Sequence, residues 1–214
     1  PMTLYESGDS NGKISLNDLL NGKRDIDGIK STLDYERIAT VLCRGGWPNA
    51  IGLADDVSES VAKNYLNVLC QSDISRVDGV KKDPDLVRAI LRAYARQTST
   101  IDSDKSMYDD IRSNYALVSE ATIANYIKIL KRLYIIEDIE AWNPNIRSKT
   151  AIRTSPKKAF VDPSLAVAAL GCSKKELMLD INTFGLLFEN LVGRDLSVYV
   201  KKHGGVLRHY RDRY

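Results

Sequence analysis

The sequence predicts a mainly α fold with a small β component, an α+β chain, and three observations carry that expectation. Apolar residues recur at helical spacing behind capping residues in several windows, as in Ile123, Ile127, Leu130 and Tyr134 behind Ser119. The run Tyr134-Ile-Ile-Glu-Asp-Ile is branched and aromatic, and after the turn-rich Trp142-Asn-Pro-Asn the segment Lys158-Ala-Phe-Val-Asp returns as a partner strand. Near the end, Val206 to Arg211 alternates as a strand does.

Residues 1–32 read as a polar connector with one short helix. Residues 4–13 are polar and contain glycine, Ser15 and Asp18 stand at capping-box spacing before Leu19 and Leu20, and Asn21 to Lys30 is polar again. A helical linker region then covers 33–82. Its first helix, Leu33 to Leu42, turns Ile38, Val41 and Leu42 inward and is stopped by Arg44-Gly45-Gly46-Trp47-Pro48. That stop reads either as a helix end packed under Trp47 or as an interdomain contact in which Arg44 and Trp47 take part. Ser58 to Leu69 follows with a stripe of Val61, Tyr65 and Val68.

Asp83 caps and Pro84 opens the next helix, which has two apolar rows, Leu86, Ile90 and Tyr94 beside Val87, Leu91 and Ala95. A helix with neighbouring apolar rows is wedged between two elements. Arg88, Arg92 and Arg96 form a basic row on it, either a solvated face or a contact for nucleic acid. Met107, Ile111 and Tyr115 mark a short helix, and the helix from Ser119 presents Asn125, Lys128 and Arg132 on its wet side. With the hairpin after it, and with Asp162 and Pro163 starting another helix, residues 83–170 have the outline of a winged helix. The Ser119 helix then occupies the position that enters the major groove of duplex DNA.

Arg147, Lys149, Arg153, Lys157 and Lys158 are the densest basic patch, either a solvated wing or a phosphate contact. Trp142 is an anchor candidate if that wing docks on another domain. Beyond Gly171, Ser173 and Glu176 make another capping pair. A longer helix from about Thr183 carries Phe184, Leu187, Phe188, Leu191 and Val192, with Glu189 between Gly185 and Gly193.

Composition bounds the function. The chain has 214 residues, 43% hydrophobic and 28% charged, with a net charge of +3 that permits nucleic-acid binding without requiring it. Cys43, Cys70 and Cys172 are odd in number and scattered, which fits reduced, buried thiols and a cytoplasmic setting. His203 and His209 are too isolated for a zinc cluster, and no apolar run approaches the roughly 20 residues a membrane crossing needs.

Several motifs together resemble a known family: Arg44-Gly-Gly-Trp-Pro, Ile136-Glu-Asp-Ile-Glu-Ala-Trp-Asn-Pro, Arg147-Ser-Lys-Thr, Phe160-Val-Asp-Pro-Ser-Leu-Ala, Thr183-Phe-Gly-Leu-Leu-Phe-Glu-Asn-Leu and Arg194-Asp-Leu. They are similar to the carboxy-terminal half of prokaryotic predicted AAA-type ATPases carrying a DUF4143 domain. The resemblance implies an ATPase core upstream, with ATP and Mg²⁺ bound there, then the winged helix. It also makes 171–214 the start of a PD-(D/E)XK-like nuclease region, cut short, in which Glu189 matches the helix glutamate that assists metal binding. No Gly-x-x-x-x-Gly-Lys-Ser/Thr loop occurs in the chain, so it carries no P-loop of its own, and the implied catalytic and metal sites are incomplete.

The function expected on these grounds is a non-catalytic regulatory or recognition region of an ATPase that contacts DNA through the winged helix. The alternatives are part of a nuclease-like domain, or a structural protein-interaction or oligomerisation module. The expected partners are the upstream ATPase domain, duplex DNA and a second copy of the chain, with no membrane.

Overall fold

Helix starts in this chain follow caps written into the local sequence. The computed structural model describes residues 1–144 and 154–210. Among them lie α1 (Leu16–Leu20), α2 (Tyr35–Arg44), α3 (Asp55–Val68), α4 (Ile74–Arg76), α5 (Pro84–Arg96), α6 (Asp104–Arg112), α7 (Glu120–Arg132), α8 (Pro163–Leu170), α9 (Lys174–Leu179) and α10 (Ile181–Lys201). A 3-10 turn, Pro48–Ala50, follows α2, and a π turn, Leu69–Asp73, joins α3 to α4. Asp34, Asp83, Ser119 and Asp162 each accept a hydrogen bond from an amide two or three residues on, satisfying a donor the helix leaves free. Ser173 and Glu176 form the full reciprocal capping box.

The core is built around α8. Its eight residues are apolar on nearly every side, and a helix of that kind belongs inside. Leu165 and Ala166 are completely buried, and α8 packs against α2, α3, α5 and α10. The two apolar rows of α5 are both used, since Leu86, Val87, Ile90, Leu91 and Tyr94 are all buried. One continuous cluster runs from Ala39 through Ile90 and Leu165 to Leu191.

The fold corrects the expectation of an α+β chain. Among the described residues the chain is essentially all-α, and the extended stretches meet only at isolated bridges, Ile136 with Phe160 and Ile139 with Lys157 antiparallel, Thr98 with Lys158 parallel. The hairpin wing, and with it the winged-helix outline of 83–170, is not present as strands. The two stretches share only one short run of main-chain bonds, Val161 N to Ile135 O, Glu137 N to Ala159 O and two between Ile139 and Lys157, and on its far edge the Asn190 side chain of α10 accepts from Phe160 N at 3.2 Å and donates to Phe160 O at 2.8 Å. Both main-chain groups of Phe160 are thereby taken by a side chain, which closes that edge to a further strand. The branched run serves burial: Ile135 and Ile136 are at most 1% exposed. Branched side chains fit a buried irregular stretch as well as a pleated one.

The helical seam of α7 is also corrected. Its buried residues are Ile123, Tyr126, Ile129 and Leu130, whereas Tyr134 is 77% exposed, because the helix stops at Arg132 and Tyr134 turns to φ 52°. At the other end α10 runs on to Lys201 and absorbs Leu196 to Val200. The Val206 segment, expected as the first nuclease strand, makes a single parallel bridge, Ala141 with His209. No helix among the described residues is long and apolar enough to cross a membrane.

Candidate functional site

The Arg44-Gly45-Gly46-Trp47 stretch builds a buried polar network under the first residues of the chain. Arg44 Nη2 donates to Asp9 Oδ2 at 2.5 Å, and both side chains are almost fully buried. Burial pushes the Asp9 carboxyl up, but hydrogen bonds from Arg44, Ser7 and Arg37 outweigh it and hold the group below its ordinary range. Asp162 is the second hub. Its Oδ2 accepts from Gly46 N at 2.9 Å and from Arg194 Nη1 at 2.8 Å, and its Oδ1 accepts from Ser164. Asp195 pairs with Arg194 and accepts from Leu4 N at 2.9 Å.

The glycines are dictated by this crowding. A Cβ on Gly46 would lie 2.1 Å from the Met2 carbonyl oxygen, and one on Gly45, at φ 73°, would lie 2.4 Å from Asp162 Oδ1. Trp47 Nε1 donates to Ser164 Oγ at 2.9 Å and its ring packs on Tyr65. Among the described residues the network joins the first residues of the chain to α2, α8 and α10. It is an internal clamp, in which the Arg44 side chain is buried.

The remaining sequence candidates scatter. Trp142 is half exposed and meets Tyr210 edge to face. Lys158 is buried, paired with Asp104 at 2.5 Å and stacked over Tyr94. Lys157 pairs with Glu189, so the carboxylate taken as a metal-assisting glutamate neutralises a lysine. Asn125, Lys128 and Arg132 lie on the exposed face of α7. Arg147, Lys149 and Arg153 lie outside the described residues. Cys43 and Cys70 are buried, and burial pushes their thiols up to about 12 and about 11.

Arg88 and Arg92 do come together, with Arg96, in a cleft of about 1100 Å³ between α3, α5, α6 and the end of α8. Four-residue spacing puts the three guanidiniums on one face of α5. Across from them α3 contributes Lys63 and Leu66, the π turn after it Cys70, α6 contributes Asp110 and Ile111, and Ala168, Ala169 and Leu170 complete an apolar floor. The rim holds four cations and one carboxylate. That carboxylate, Asp110, is spent on Arg96 through two bonds of 2.8 and 2.9 Å. Arg88 pairs only with the exposed Asp85, and neither Arg92 nor Lys63 has an ion pair among the described residues. Sequence reasoning missed Lys63, Asp110 and the α8 end, for which no local signal exists.

The family model for a domain of unknown function, DUF8612, matches residues 35–176. The chain belongs to the DUF8612 family. No curated protein and no solved structure matches it. The DUF8612 match runs from α2 into α9 and takes in the cleft, the central α8 and the Arg44 and Asp162 parts of the clamp, while Asp9, Arg194 and Asp195 lie outside it. It replaces the resemblance to DUF4143-type ATPases, and the all-helical architecture overturns the winged-helix and nuclease readings drawn from it. Among the described residues no three His, Cys, Asp or Glu side chains are grouped to hold a metal, so the nuclease-like site at Glu189 is not formed there. Three of the motifs behind the resemblance, Arg44-Gly-Gly-Trp, Asp162-Pro and Arg194-Asp, are residues of the buried clamp.

Proposed function

We propose that this DUF8612 chain is a helical docking module that takes a segment of a partner polypeptide into the cleft between α3, α5, α6 and α8. The observation that carries the reading is the union of an apolar floor with an incompletely neutralised polar rim, the anatomy of a protein-binding surface. Its volume of about 1100 Å³ also lies just above the roughly 300–1,000 Å³ typical of small-molecule pockets. Four separate elements line the cleft, so a bound segment contacts several helices at once and reads their arrangement.

The test is selection of a random twelve-residue peptide library on the whole chain and, in parallel, on Ala89→Trp, which fills the cleft from α5. Enrichment of a consensus that binds the natural chain and at least ten-fold more weakly the variant supports the proposal, provided both give the same circular dichroism melt. Should the variant melt differently, protection of α3, α5 and α6 amides from hydrogen exchange by the selected peptide reports the same contact on the natural chain. No consensus, or one bound without protecting those helices, overturns it.

A further inference from the structure

We infer that the segment received by the cleft is acidic, carboxylates alternating with apolar side chains; the inference rests on the docking reading and deepens it. Any chain that covers the apolar floor of Leu66, Leu91 and Ala169 also strips water from the cations around it. A cation that loses water without gaining an anion is costly, so a neutral or basic segment is penalised where it covers Arg92 and Lys63.

The site's own carboxylate cannot meet that demand. Asp110 is held by both of its bonds to Arg96. Arg88 is available for exchange, because its bond to Asp85 is made at the surface, where the carboxylate is 78% exposed and water screens the pair. Arg88 and Arg92 lie one helical turn apart, and each guanidinium presents a planar fork suited to two carboxylate oxygens. Carboxylates one turn apart on a bound helix match that spacing, with the apolar side chains between them directed at the floor.

Phosphate groups also suit arginine, but the apolar floor favours a polypeptide. Among the cleft's residues Tyr115 is the one aromatic ring, and stacking platforms for bases use several.

The experiment uses fluorescent fourteen-residue peptides of one repeating pattern, with leucines fixed and the polar positions all Glu, all Gln or all Lys, beside a fourteen-nucleotide oligothymidylate. Anisotropy titrations with the whole chain are expected to rank Glu at least ten-fold above Gln, with Lys unbound. The Arg92→Gln, Lys63→Gln double variant should lose at least ten-fold for the Glu peptide and little for Gln. Equal binding of Glu and Gln, or tighter binding of Lys, overturns the inference while leaving docking intact. Oligothymidylate binding that Arg92→Gln abolishes, with the Glu peptide unbound, overturns it in favour of nucleic acid. Failure of all the peptides, together with an empty library selection, removes the docking reading itself.

Discussion

Asp9 holds the first residues of the chain onto the helical body, since its carboxylate is the buried partner of Arg44 and also receives Arg37 at 2.8 Å. Asp9→Ala leaves the Arg44 guanidinium buried without its counter-charge, and removal of one member of such a pair costs about 3–5 kcal/mol. Urea unfolding of the variant should show that loss. The pair also sets an acid limit. The folded Asp9 carboxyl titrates below its ordinary value of 3.8, so the unfolded chain takes up the proton first. The stabilisation is therefore complete above that value and is lost as pH falls through the depressed folded one. Urea midpoints of natural chain and Asp9→Asn should converge as pH falls through that window; a constant gap would show that Asp9 does not titrate with folding. None of this was legible in sequence. Arg44 and Asp9 stand 35 residues apart, and nothing local pairs them.

At the scale of elements, α8 shows what a short stretch can announce. Asp162 before Pro163 marks its start and Gly171, at φ 73°, marks its stop, and both signals lie within the helix and its flanks. Its role as the central helix comes from neighbours, because α2, α3, α5 and α10 close around it. Ala166 is completely buried among them. Ala166→Leu is expected to overpack this centre and cost about 1–3 kcal/mol. Thermal melting of the variant checks it, and an unchanged midpoint would mean the centre has slack. The stretches 134–144 and 154–161 are the opposite case. Their branched residues suggest strands, yet they share only a short run of main-chain bonds, and Asn190 from 30 residues away closes the far edge at Phe160. The cleft is legible only in part: the Arg88, Arg92, Arg96 row is periodic in sequence, while Lys63 and the end of α8 reach it through packing.

For the whole molecule, one continuous buried cluster runs through helices on both sides of residues 82 and 170. The buried cluster contains Leu42 and Leu66 on one side of residue 82 and Ile90, Leu165 and Leu187 on the other. A shared core unfolds together, so the fluorescence of Trp47 and Trp142 and far-ultraviolet circular dichroism should trace one coincident urea transition. Separate midpoints would establish independent domains. Helix positions could be read directly from the chain, because a cap, its amide and the apolar spacing of a helix all lie within a few residues of one another. The partners of Asp9, Lys158 and Asp162 and the gathering of a cationic cleft depended on residues tens of positions apart. Burial made those choices, since a charge or a main-chain amide removed from water must take whichever partner the packed helices bring within reach.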